Sequence, residues 1–200
     1  MRILQYHSRI PDRVFWAICA MTFLMFTGCT EQKKQIEDNI NKMLNHKVIV
    51  PYDKILMYKG PHTLYDYSMA EPLNLVVYVD STECSSCYLG NILKWESMLD
   101  TLRINYDFVR TTILFAPSKI KKDSFFEKLK NTKFKYPLYI DTCNIFSKTN
   151  EYIPMDRMYH TFLMDEDNNV ILVGDPLKNK KIKRMFFDNI REIKNTDNNR

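Results

Sequence analysis

The sequence predicts an α/β fold, a central mixed β-sheet flanked by helices on both faces, with an N-terminal helical and β extension. Three observations carry this. Leu73 to Asp80 (LNLVVYVD) is a nearly continuous apolar, β-branched run, the pattern of a strand buried on both faces and placed centrally. Strand and helix patterns alternate from there as β-α-β-α-β. A β-hairpin and an amphipathic helix then close the chain, an order that demands a sheet covered on both sides.

The elements follow in turn. Glu31 to Asn45 carries Ile36, Ile40, Met43 and Leu44 at spacings of three and four, which predicts an amphipathic helix on a tether. Lys47 to Val50 and Ile55 to Tyr58 are short β-rich runs stopped by Pro51 and by Gly60-Pro61. After Leu73 to Asp80, a helical stripe runs through Tyr88, Ile92, Trp95, Leu99 and Leu102. Phe108 to Phe115 is the next strand, and Ser118 to Leu129 the next helix, with Ser118 able to act as its N-cap. Tyr136 to Ile140 is a short strand holding Pro137. Tyr159 to Met164 and Val170 to Val173 form a hairpin around a polar turn, and Lys178 to Ile193 is a helix with Ile182, Met185, Phe186 and Ile190 inward. The lysines of its first turns read as a solvated face. The domain organisation expected is residues 1–28 as a signal, 29–72 as a tether with an amphipathic helix and short strands, 73–193 as the folded domain, and 194–200 as a polar tail.

Composition narrows the function. Four glycines, Gly28, Gly60, Gly90 and Gly174, cannot assemble a glycine-rich phosphate loop, so nucleotide-binding readings are excluded. A formal net charge of +5 over 200 residues is no nucleic-acid footprint. Five cysteines remain: Cys19, Cys29, Cys84, Cys87 and Cys143.

Compartment is read from the first 29 residues. Arg2, Arg9 and Arg13 precede the uncharged apolar run VFWAICAMTFLMFTG, which has export-signal length and is short for a membrane span. Its end, Phe26-Thr27-Gly28-Cys29, resembles the lipobox of bacterial lipoproteins, with Phe26 where those proteins usually carry Leu. That resemblance implies cleavage before Cys29, lipidation of Cys29 with acyl chains such as palmitate, and anchorage in the cell envelope. Thr30, rather than an aspartate, resembles sorting to the outer membrane.

Cys84 and Cys87, in Ser81-Thr82-Glu83-Cys84-Ser85-Ser86-Cys87, sit where a strand becomes a helix. Two thiols on one helical turn reach disulfide range with little backbone movement. Cys84, at the helix start, is the expected nucleophile, since free amides there stabilise a thiolate. Cys87 is the expected resolving thiol, more shielded, which attacks a mixed disulfide and releases the partner. Glu83 is expected to oppose the Cys84 thiolate and favour a reducing protein. The same pair also fits a permanent structural disulfide or half of a metal site. The metal reading lacks a second C-x-x-C or a histidine pair, because His7, His46, His62 and His160 are scattered. No cofactor or metal is expected, and Cys143 is expected to be an inert thiol.

VVYVDSTECSSC followed by a helix, then Tyr159-His160-Thr161-Phe162-Leu163-Met164-Asp165 and a hairpin ending at Val173-Gly174, resembles the thioredoxin superfamily. The nearer likeness is to exported TlpA-like and ResA-like thiol-disulfide proteins and the related peroxiredoxin-like (AhpC/TSA) group, over about Leu73 to Ile193. The resemblance implies a thioredoxin-like fold and a loop before the hairpin strand that faces C-x-x-C and binds the partner backbone. In the family that loop carries a cis-proline; the matching position here is Tyr159. Tyr159, His160 and Thr161 are therefore candidate substrate-loop or tuning residues. The family's buried acid falls near Tyr78, leaving Asp80 as a candidate proton acceptor. The implied function is a membrane-tethered extracytoplasmic thiol-disulfide oxidoreductase, monomeric, acting on protein disulfides or a redox partner protein. The alternative is a redox-inactive thioredoxin-fold lipoprotein serving as a binding or envelope-interaction module.

Overall fold

The computed structural model describes residues 31–63 and 72–197. The signal segment, Cys29 and the last three residues of the polar tail lie outside the described residues. Helix α1 covers 31–44. Its portion up to Asn39 is one unit, in which Gln35 Nε2 donates to Asn39 Oδ1 at 3.2 Å. From Ile40 onward the chain forms a second unit.

That second unit is built on one six-stranded mixed sheet in the order β1-β4-β3-β2-β5-β6. The strands are β1 (Leu56–Tyr58), β2 (Leu73–Val79), β3 (Val109–Phe115), β4 (Leu138–Ile140), β5 (Thr161–Met164) and β6 (Val170–Val173). β2 and β3 are parallel and central, and every residue of both is buried, the polar Asn74, Arg110, Thr111 and Thr112 included. β4 continues the parallel arrangement beside β3, while β5 runs antiparallel to β2 and pairs with β6 as the expected hairpin. β1 closes the far edge, antiparallel to β4.

Alternation along β2 sorts the core into two layers. Leu73, Leu75, Val77 and Val79 pack against α3 (Glu96–Asn105), α4 (Lys122–Lys130) and α6 (Lys180–Asp197) through Leu99, Leu102, Phe125, Leu129, Phe186 and Ile190. Val76 and Tyr78 face the other way, toward Met43, Val48, Tyr159 and Phe146 of α5 (Ile145–Thr149). Helices therefore do lie on both faces.

Several elements differ from the sequence reading. The helix expected after the cysteines is broken into α2 (Ser85–Gly90), a 3-10 turn (Ile92–Trp95) and α3, because Gly90 is a weak helix former and Asn91 leaves helical geometry at φ −109°, ψ 4°. Lys47 to Val50 is no strand: Lys47 makes one bridge to Asn169, and Ile49 is held by the Asn150 side chain, which accepts from its N–H and donates to its carbonyl, both at 2.9 Å. Ser118 occupies the position before a 3-10 turn, but its side chain caps no amide. The last helix extends to Asp197, past the expected end at Ile193 and into the expected tail. Residues 40–58 share the core, with Met43 and Val48 fully buried, so the stretch expected as a tether contributes to the folded unit from Ile40 onward. Among the described residues, no helix is long and apolar enough to cross a membrane.

Candidate functional site

β2 ends at Val79, and Asp80 turns the chain. Asp80 Oδ1 accepts from Ser81 Oγ at 2.9 Å and from the Thr82 N–H at 3.0 Å, so this carboxylate shapes the turn and stands outside the cavity described below. The turn delivers Cys84 as the N-cap of α2, where its Sγ accepts from the Cys87 N–H at 3.3 Å. Cys84 and Cys87 form a disulfide with their Cα atoms 5.2 Å apart.

Exposure of the two cysteines is the reverse of expectation. Cys84 is half-buried and Cys87 is exposed. The cause is the pitch of α2: Ser86 and Leu89, three residues apart, face inward, which turns Cys87 and Gly90 outward.

The opposite wall comes from the start of β5. Thr161 pairs with Val77, and the Tyr78 N–H donates to the His160 carbonyl at 2.8 Å. That register holds the buried His160 ring with Nδ1 3.2 Å from Glu83 Oε1 and Nε2 3.0 Å from the Pro154 carbonyl. Residues 77 apart in the chain thereby meet beside the disulfide. The Glu83 carboxylate also accepts from the Asp80 N–H at 3.4 Å.

A cavity of about 650 Å³ opens over this junction. Cys84, Cys87, Glu83, His160, Thr161 and Tyr78 line it. Burial, and then the nearby Asp80 carboxylate, hold the Tyr78 phenol well above its ordinary pKa. Burial does the same to Tyr88, outweighing the opposing effect of the Trp95 indole N–H that donates to its hydroxyl at 3.1 Å. Tyr159 is not in this wall; it is buried in the apolar layer on the far face of the sheet with Met43 and Phe146. The 3-10 turn Arg157–Tyr159 ends with Tyr159 in that layer, and His160 and Thr161 after it line the cavity.

Sequence reasoning missed the rest of the lining. Asn91, Lys94 and Trp95 come from the helix break, Arg157 from the turn before β5, and Asp175, Leu177 and Lys178 from the loop after β6. Lys178, read as part of a solvated helix face, pairs with Asp175 at 3.0 Å and belongs to the cavity wall. No local spacing announces these residues, since they come together only when three separate segments converge. Cys143 is an exposed free thiol. Among the described residues no three His, Cys, Asp or Glu side chains are grouped to hold a metal ion.

The arrangement can therefore offer a disulfide to a visiting thiol, or its reduced pair to a visiting disulfide, in a cavity walled by aromatic and charged side chains. Compared with known proteins, the chain matches no family model, no curated sequence and no solved structure.

Proposed function

We propose that this chain is a thioredoxin-like thiol-disulfide oxidoreductase, tethered to a bacterial envelope membrane outside the cytoplasm through Cys29, acting on protein disulfides or a redox partner protein. The observation that carries the reading is the Cys84–Cys87 disulfide at the start of α2, opening onto a cavity beside His160 and Thr161. The strand order β3-β2-β5-β6, with the cysteines leaving the end of central β2, supports the thioredoxin-like assignment. The lipobox-like Phe26-Thr27-Gly28-Cys29 supports the anchor.

In the reduced form, the Cys84 thiolate attacks one sulfur of the partner disulfide. A mixed disulfide forms, and one partner sulfur leaves as a thiolate and takes up a proton. The Cys87 thiolate then attacks Cys84 Sγ, which restores the intramolecular disulfide and frees the second partner thiol. Two electrons pass from the Cys84/Cys87 dithiol to the partner, and the reverse sequence lets the oxidised protein collect two electrons from a partner dithiol. The Cys87 N–H, aimed at Cys84 Sγ, favours Cys84 as the thiolate-bearing residue.

A second reading, a redox-inactive binding module, is favoured by Tyr159-His160-Thr161, which lacks the family's proline and whose His160 carbonyl is committed to the Tyr78 N–H. Turnover separates the two. Full-length protein in uncharged detergent, supplied with dithiothreitol and insulin, is expected to reduce insulin disulfides, with Cys84→Ser losing at least about a hundredfold in rate. Cys87→Ser is expected to accumulate a mixed disulfide. Equal rates for wild type and Cys84→Ser would falsify the oxidoreductase reading, and a wild-type protein with no turnover would favour the binding module.

A further inference from the structure

The charges around the cavity are not balanced. Glu83 faces His160, and Asp175 is paired with Lys178. Lys94 and Arg157, both exposed and both in the wall, make no ion pair with any carboxylate among the described residues. They reach the rim from separate elements, the 3-10 turn after α2 and the turn before β5.

The excess continues outward. From Lys178 the chain runs directly into α6 through Lys180, Lys181, Lys183 and Arg184, all exposed. The three lysines in the first turns of the helix oppose its macrodipole, and no acidic residue stands in that first turn, so they do not serve helix stability; Arg184 pairs within the helix with Asp188 at 3.7 Å. The free amides there are already met by Asn179 Oδ1, which accepts from the Lys181 and Ile182 N–H groups at 2.8 and 3.2 Å. What these lysines supply is a positive field along the stretch that follows Lys178 of the cavity wall.

We infer that the cavity selects partners whose disulfide is flanked by an acidic, extended segment, with Lys94 and Arg157 receiving its carboxylates and the start of α6 steering it in. This rests on the exchange reading above and names its substrate class. Of the two acids in the wall, Asp175 is paired with Lys178 and the Glu83 carboxylate is turned toward His160, while Lys94 and Arg157 are left to attract the incoming carboxylates. Half-buried Tyr88 adds an aromatic ring to the same wall.

The test uses full-length protein in uncharged detergent, reduced with dithiothreitol, freed of it, and mixed in single turnover with three disulfide-bridged peptides identical except for flanking Glu, Gln or Lys. Each rate is divided by that of free dithiothreitol with the same peptide, which removes intrinsic reactivity. At low salt the Glu peptide is expected to react about tenfold faster than the Lys peptide, a ratio that falls toward one as salt is raised. In the double variant Lys94→Glu/Arg157→Glu the ratio is expected to fall to about one or invert. Equal or faster reaction of the Lys peptide with the wild type overturns the inference. So does an absent peptide preference combined with binding to phosphatidylglycerol vesicles that the double variant loses, which would assign the cations to a lipid surface. Reaction with none of the three peptides, the neutral one included, removes the exchange reading itself and is thereby distinguished from a failure of charge selection.

Discussion

Glu83 precedes the first cysteine, yet its carboxylate turns toward His160 Nδ1 and the Asp80 N–H. The anion that should oppose a Cys84 thiolate is therefore partly engaged elsewhere. Glu83→Gln keeps an oxygen for His160 and removes the charge. The reduced variant is expected to be alkylated at Cys84 by iodoacetamide about threefold faster at neutral pH, the effect of deleting one solvent-screened neighbouring charge. An unchanged rate would show that Glu83 does not act on the thiolate. At this scale the sequence was most informative where chemistry and spacing coincide. Cys84, Cys87, Glu83, His160 and Thr161 were all legible and all meet at the cavity. The relative exposure of the two cysteines was not, because it depends on which side of α2 turns inward. Tyr159 was misplaced for a similar reason: one 3-10 turn decides which of two adjacent residues lines the cavity.

The stripe Tyr88, Ile92, Trp95, Leu99, Leu102 has unbroken helical periodicity, so a single helix was the natural reading. Periodicity reports which side is buried, and a 3-10 turn between two helices preserves that side while changing the axis. The break is where Asn91 and Lys94 enter the cavity wall, and Asn91 Nδ2 secures it by donating to the Cys87 carbonyl at 3.1 Å. Two glycines mark opposite tolerances. A methyl at Gly90 meets nothing within 4 Å, so Gly90→Ala is expected to stabilise by about 0.5–1 kcal/mol through lost unfolded-chain entropy. Gly174 sits at φ +129°, with its N–H donating to the Thr161 carbonyl at 2.7 Å, and a Cβ there would stand 3.1 Å from the Ile182 side chain. Gly174→Ala is expected to destabilise by about 1–3 kcal/mol. Urea denaturation of both variants checks the pair, and equal signs would contradict the argument.

At the scale of the whole molecule, the alternation of strands and helices was legible because each buried strand carries its own apolar run. The joining of residues 40–58 to the core was not, because those residues are held by long-range bonds: Ile49 to Asn150, and the Tyr152 hydroxyl donating to the Lys47 carbonyl at 2.7 Å. That hydroxyl also predicts a pH limit. Burial pushes Tyr152 up to about 12, and it raises Tyr78 and Tyr88 as well. A raised folded-state value means the stabilisation is complete below the unfolded phenol's pKa of about 10 and is lost as pH climbs through the folded value. Urea midpoints are therefore expected to hold steady to about pH 10 and to fall between there and about 12. Midpoints flat across that window would show that these phenols are not protected.

Only three positions separate Cys84 from Cys87, so their bond closes a very small loop and removes little freedom from the unfolded chain. The sheet, its two apolar layers and the cavity wall are held by contacts that do not pass through the sulfurs. Opening the bond thus leaves the scaffold standing. In this molecule the disulfide is a small addition to a fold that other contacts hold.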